Sequence, residues 1–220
     1  MYVLVACEES QRVCEAFRNK GHIAFSCDID DCSGGHPEWH IKNDVSPLLD
    51  GCCSFTTEDG VEHTINKKWD MIIGFPPCIY LTTAGACRLY PKKGVIDPDR
   101  YELGVKAATF FNSILNADCE KIVVENPTPM KVFNLPKYNQ VVEPYMFGHP
   151  YKKRTCLWLK GVPQLKPTNI ITENIVSWVS GGSKDSKGNQ RKTKAETFRD
   201  SKTRSKTFKG IAEAMAEQWG

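Results

Sequence analysis

Residues 2–30 read YVLVACEESQRVCEAFRNKGHIAFSCDID, and the order of patterns within them decides the fold. Tyr2 to Ala6 is an unbroken apolar run, the composition of a strand covered on both faces. Val13, Ala16 and Phe17 then recur at helical spacing, and Asn19-Lys20-Gly21 supplies the glycine that closes a helix. His22 to Cys27 is a second apolar run, and it ends at Asp28. Strand, helix, strand, acid is the unit of a doubly wound nucleotide-binding sheet. The predicted class is α/β, a Rossmann-like and mostly parallel sheet.

Outward from this unit the alternation continues through Asn43-Asp44-Val45 to a polar stretch, Cys53 to His63, whose Asp59-Gly60 dipeptide predicts a hairpin insertion. Trp69 to Gly74 reads as a central strand and runs into FPPCIYLTTAG. Proline fixes φ and pushes the residue before it to extended geometry, so Phe75-Pro76-Pro77 is a stiff arm that presents Cys78. Arg88 to Arg100 has the length and composition of a mobile lid. Leu103 to Leu115 is an amphipathic helix, and Lys121 to Glu125 a strand that delivers Glu125-Asn126-Pro127 at its end. In open α/β sheets ligands bind at the carboxyl ends of strands, so Cys78, Glu125, Asp28 and the Cys7 to Ser10 loop are expected in one crevice. Tyr145 to Arg154 is a turn loaded with bases before a strand, Thr155 to Leu159, and Lys209 to Trp219 is an amphipathic helix packing back on the body. The expected organisation is a catalytic body over 1–160, a short basic segment over 161–206 and the returning helix over 207–220.

Of the 220 residues 40% are apolar and 25% charged, the balance of an ordinary water-facing domain. No segment approaches the roughly 18 to 20 apolar residues of a membrane span, and MYVLVACEES has no basic start or long apolar core, so a cytoplasmic setting is expected. The ten cysteines are spread along the chain and read as reduced thiols. No C-x-x-C pair occurs; Cys27, Cys32, His36 and His40 come nearest to a zinc set, but the two histidines read rather as loop hydrogen-bonders, and no metal is expected. Lys184 to Lys209 holds ten Lys/Arg against three Asp/Glu, +7, which leaves 19 against 23, −4, for the rest of the chain. Such a basic segment on an acidic body suits a polyanionic partner, or is a solvated loop.

A cysteine on a rigid loop, an acid at the end of the neighbouring strand and a basic turn form a nucleophile, a hydrogen-bonding acid and an anion or carbonyl clamp. These segments resemble the cytosine-C5 DNA methyltransferases. DMIIGFPPCIYLTTAG is similar to their Pro-Pro-Cys segment, VVENPTP to their Glu-Asn-Val, FGHPYKKRTCLWLKG to their Gln-Arg-Arg-X-Arg block, and TFKGIAEAMAEQW to the late helix that completes the cofactor pocket. The order and spacing match over most of the chain.

The resemblance implies S-adenosylmethionine as cofactor and duplex DNA as partner, with no membrane. The Cys78 thiolate adds to C6 of a flipped cytosine, Glu125 holds N3, Arg154 (or Lys153, one residue away in register) binds O2, and Asn126 positions the loop. Asp28 faces the ribose, Ile29 the adenine and Asp44 its amine, with Ala6, Cys7, Glu8, Glu9, Ser10 and Pro76 completing the pocket. Thr82, Thr83, Arg88, Lys92 and Lys93, with Arg191, Lys192 and Lys194, are the expected nucleic-acid contacts. Two departures stand out. VACEESQ puts Cys7, Glu9 and Ser10 where the family has glycines, so Glu8 or Glu9 is left to face the methionine ammonium. Gly161 to Lys206 is far shorter than the usual recognition region, which leaves readout minimal, or shared with the hairpin and lid, or supplied by a partner chain. An RNA or nucleotide pyrimidine as substrate, and a silent nucleic-acid-binding relative, stay open beside the DNA reading. The resemblance points to a prokaryote, or a virus of one, as source.

Overall fold

The computed structural model describes residues 1–178 and 201–220, the latter with side chains from 203 onward. In chain order the elements are β1 (Tyr2–Ala6), α1 (Arg12–Asn19), β2 (Ile23–Asp28), β3 (His40–Lys42), β4 (Cys53–Thr56), β5 (Glu62–Ile65), β6 (Met71–Gly74), α2 (Ala86–Leu89), α3 (Pro98–Leu115), β7 (Lys121–Asn126), β8 (Gln140–Val142), β9 (Tyr151–Lys152), β10 (Thr155–Lys160), β11 (Val176–Ser177), α4 (Ser201–Ser205) and α5 (Lys209–Trp219). Seven strands form the central sheet in the order β3-β2-β1-β6-β7-β10-β8. All neighbours pair in parallel except β10, which runs antiparallel to both β7 and β8. The chain starts at the centre, winds outward to β3 and returns to β6 on the other side of β1. This is the doubly wound, Rossmann-like α/β sheet expected from residues 2–30.

The apolar strand runs are explained by cover on both faces. Leu4, Ile72, Ile122 and Trp158 pack beneath Phe111 and Ile114 of α3, whereas Val3, Val5, Ile73 and Val123 pack beneath Val13 and Phe17 of α1 and Ile211, Met215 and Trp219 of α5. Gly210, in the first turn of α5, lies so close to the segment before β9 that a Cβ there would sit 1.9 Å from the Phe147 carbonyl oxygen. Gly210→Ala is therefore expected to cost about 2–3 kcal/mol, read as a lowered denaturant midpoint with an unchanged slope.

The hairpin prediction meets β4 and β5, which pair antiparallel with Phe55 opposite His63. Phe55 also packs edge-on to Phe25, with ring centroids 5.0 Å apart, so the insertion is anchored to the sheet. The lid is shorter than its sequence suggests. Asp97 accepts the Arg100 N–H at 2.8 Å and Pro98 occupies the first turn, so α3 begins five residues before the expected Leu103. With α2 taking the other end, only Tyr90 to Asp97 remains a loop. Among the described residues no helix is long and apolar enough to cross a membrane.

Candidate active site

Cys78 and Glu125 meet because their strands are neighbours in register. Gly74 of β6 lies opposite Val124 of β7, so the next residues of both strands emerge side by side at the carboxyl edge. Phe75 N–H still donates to Ala6 O at 2.9 Å; Pro76 and Pro77 then withhold their donors and the ladder stops. Asn126 Nδ2 donates to Pro76 O at 3.1 Å, which fixes the proline arm to β7. Beyond it the Cys78 carbonyl accepts the N–H groups of Leu81 (3.1 Å) and Thr82 (3.2 Å), and the two loops are tied by Met130 N–H to Leu81 O (2.7 Å) and Thr83 N–H to Thr128 O (3.1 Å). Cys78 is exposed at the head of this turn.

The basic turn resolves into two residues of different fate. Lys153 and Arg154, which link β9 to β10, meet different partners. Lys153 lines a narrow pocket with Phe75, Glu125, Thr155, Thr207, Phe208, Ile211 and Met215. Arg154 instead donates to Thr128 Oγ1 (3.2 Å) and Tyr138 Oη (3.1 Å) and is exposed. Lys153, and not Arg154, is the cation beside Glu125. Burial raises the pKa of Glu125, and Lys153 opposes the shift. Burial and then the Glu125 carboxylate raise Cys78, while Lys153 and Arg204 pull it down. Thr155 and Phe208 fall inside the family-like segments but have no role assigned in the sequence; the structure brings both to this pocket.

At the carboxyl end of the neighbouring strand β1, the expected cofactor loop has an unusual interior. Cys7 holds φ 59°, the left-handed conformation that a glycine would take without strain. Ala6 is fully buried at the end of β1 and Ser10 almost so. Glu8 is turned into the protein at 4% exposure, and its two carboxyl oxygens accept the N–H groups of Val13 (2.7 Å) and Cys14 (3.1 Å), capping α1. Of the two acids expected to face a ligand amine, Glu9 is the one left partly exposed, where its carboxylate accepts the Ser33 hydroxyl. The loop after β2 is laced over this one: Ser33 N–H donates to Glu9 O (2.8 Å), and Gln11 exchanges hydrogen bonds with the His36 backbone (2.8 and 3.0 Å). Asp28 ends β2 with its pKa raised by burial, and Ile29 stands 75% exposed beside it. Asp44 is exposed and its pKa is lowered by the Ser46 N–H and hydroxyl.

Burial pushes Glu8 up to about 8 from 4.5. Since the folded value is the higher, the unfolded chain loses this proton first. The stabilisation is complete below about pH 4.5 and is lost as pH rises toward 8, at up to about 1.4 kcal/mol per pH unit. Glu8→Gln is expected to flatten that decline in chemical unfolding measured across the same range, at a constant cost of about 1–2 kcal/mol for the second N–H it leaves unserved.

Of the expected nucleic-acid contacts, Thr83, Arg88, Lys92 and Lys93 are exposed around the lid. Thr82 is 5% exposed, its backbone bridged to Pro129, and takes a structural place instead of a surface one. Arg191, Lys192 and Lys194 lie outside the described residues. Among the described residues no group of three or more His, Cys, Asp or Glu is arranged to hold a metal ion; His40 bonds Ser26 Oγ (2.9 Å) and Asp30 O (3.0 Å), and His36 stacks on Trp39.

No family model matches the chain. No curated protein matches it either. Among solved structures it is similar, at a TM-score of 0.43 and 16% identity, to a protein of E.coli described as a candidate DNA modification methyltransferase encoded within a prophage, over 80% of this chain and 53% of that one. It is similar at the same score and 14% identity to the Entamoeba histolytica methyltransferase EhMeth, over 78% of this chain and 57% of that one. The chain thus spans little more than half the length of either.

Proposed function

We propose that this chain transfers a methyl group to C5 of cytosine in DNA through a covalent bond between Cys78 and C6 of the base. The observation that carries the reading is the exposed residue Cys78 on a proline-stiffened arm, fixed by Asn126 to the end of the strand that also carries Glu125, with Lys153 beside Glu125.

In this reading the Cys78 thiolate adds to C6, and the displaced electron pair makes C5 nucleophilic. Glu125, kept protonated to higher pH by burial, donates to N3 and withdraws charge from the ring. Lys153 offers an ammonium to the carbonyl edge. After C5 has gained the methyl group it loses its proton to solvent, the thiolate leaves as the 5,6 double bond reforms, and N3 returns its proton to the Glu125 carboxylate. S-adenosylmethionine, when bound, supplies that methyl group. The residues fit it in part: Asp28 offers a carboxylate to ribose hydroxyls, Ile29 an exposed apolar face to adenine, Asp44 an acceptor to its amine, and Cys7 keeps the backbone turn of a glycine. Ala6, Ser10, Glu9 and Pro76 bound the same edge. C6 is shielded in a stacked duplex, so the base has to leave the stack, and in this reading the exposed Thr83, Arg88, Lys92 and Lys93 contact phosphates.

The test is incubation with methyl-labelled S-adenosylmethionine and duplex DNA, then nucleoside mass analysis. Label in 5-methylcytosine is the expected result. Label in RNA alone moves the substrate and keeps the chemistry; no transfer to any nucleic acid or nucleotide, from protein that binds the donor, overturns the reading.

A further inference from the structure

The turn that presents Cys78 is held by two elements. The end of β7 and the loop after it hold it through Asn126 Nδ2 on Pro76 O (3.1 Å), Met130 N–H on Leu81 O (2.7 Å) and Thr83 N–H on Thr128 O (3.1 Å). The other element is α3, whose first turn carries Arg100 in a place set by the Asp97 cap. Arg100 Nη2 donates at 2.6 Å to the carbonyl oxygen of Ile79, the residue after Cys78, and the guanidinium carbon lies 4.2 Å from the ring centroid of Tyr80. Gly85 leaves room for this contact: a Cβ there would come within 3.1 Å of Ile79 O and 3.5 Å of Arg100 Nη2. Burial does not fix this part of the turn, because Cys78 is exposed and Ile79 is 52% exposed. A segment that buries so little apolar surface takes its geometry from its hydrogen bonds.

We infer that Arg100 is a positioning residue for Cys78, the brace from α3 that keeps the turn of the nucleophile in its attacking conformation. A hydrogen bond from a cationic donor is stronger than one between neutral groups, and the planar guanidinium gives it while lying over the Tyr80 ring. A lysine can supply the N–H but not the fork. Cys78 O already accepts the Leu81 and Thr82 N–H groups, so with Ile79 O held by Arg100 two consecutive carbonyls, starting at the nucleophile, are fixed. Attack needs the reacting atoms about 3 to 3.5 Å apart and aligned, and a misplacement of about 1 Å can cost about a hundredfold in rate. Arg100 thus acts through the backbone of the turn, its guanidinium engaged by protein atoms and not by phosphate.

The inference rests on Cys78 being the nucleophile of the proposed function, yet its first measurement needs neither methyl donor nor DNA. Amide hydrogen exchange of Leu81 and Thr82, whose N–H groups end on Cys78 O, is followed by NMR in the free protein, with the amides of β1 and β6 as reference. Arg100→Ala is expected to speed exchange at both residues about tenfold and to leave the reference in place. The same variant is expected to lower the single-turnover rate of transfer by about 10- to 100-fold, with the affinities for donor and duplex within about twofold of the parent. Arg100→Lys, which still offers Ile79 O an N–H, keeps most of the rate. Unmoved exchange at Leu81 and Thr82 overturns the inference. Exchange quickened throughout the sheet, the mark of a loosened fold, overturns it too, as does weaker duplex binding at an unchanged rate, the mark of a phosphate contact. Should Arg100→Ala fail to fold, Arg100→Gln against Arg100→Lys carries the same contrast. Quickened exchange at the two amides, when the parent methylates nothing, sinks the proposed function and leaves Arg100 as the brace of this turn; intact transfer by the parent with unmoved exchange in the variant does the reverse.

Discussion

Cys78→Ser is expected to lower methyl transfer by about a thousandfold or more while leaving the fold and donor binding intact. A serine hydroxyl keeps the size of the thiol but stays protonated, so attack on C6 loses its nucleophile. The side chain is exposed and its backbone carbonyl, not its sulfur, organises the turn to Leu81 and Thr82. Stability should therefore move by less than about 0.5 kcal/mol. The check is single-turnover transfer to duplex DNA beside a thermal melt; transfer within about tenfold of the parent, from folded protein, would falsify the covalent route.

Glu125→Gln should lower transfer by about 10²- to 10⁴-fold, the range of a positioned acid. Its effect has a signature in pH that the first variant lacks. Burial raises the Glu125 pKa, so its protonated form survives above the usual carboxylate range and declines only as pH rises through the raised value. The Cys78 thiolate grows over a higher range, because burial and Glu125 raise that group as well. The parent should show a rising limb from the sulfur and a falling limb from the acid. Glutamine can hold N3 but cannot give it a proton, so the variant should keep the rising limb and lose the falling one. A profile of unchanged shape with a merely lowered plateau would remove Glu125 from proton transfer.

The central sheet was legible because its strands are buried on both faces and thus written as unbroken apolar runs, with α1 set between them at helical period. The start of α3 was masked by the polar composition around it, although Asp97-Pro98 carries the cap in plain letters. Cys78 and Glu125 could be brought together from strand order alone. Choosing between Lys153 and Arg154 needed their partners in space, Glu125 for the first and Thr128 and Tyr138 for the second, which the spacing of two adjacent cations does not announce. The capping role of Glu8 is not legible in the sequence because it reaches N–H groups five and six residues ahead, a spacing no cap motif announces.

The buried cap of α1 has a further consequence, one of charge selection among nucleotides. In dinucleotide-binding folds the first turn of this helix leaves its amides free and draws in a pyrophosphate. Here the protein has brought its own acid to that place, since Glu8 already occupies the Val13 and Cys14 amides. A phosphate bridge arriving at this turn finds the helix end taken and, whenever Glu8 is ionised, meets repulsion as well. A nucleoside bearing a cationic or amino-terminated chain, as the proposed donor does, meets no such opposition. On the proposed function, the same carboxyl that closes the helix is expected to disfavour nicotinamide and flavin dinucleotides at this turn.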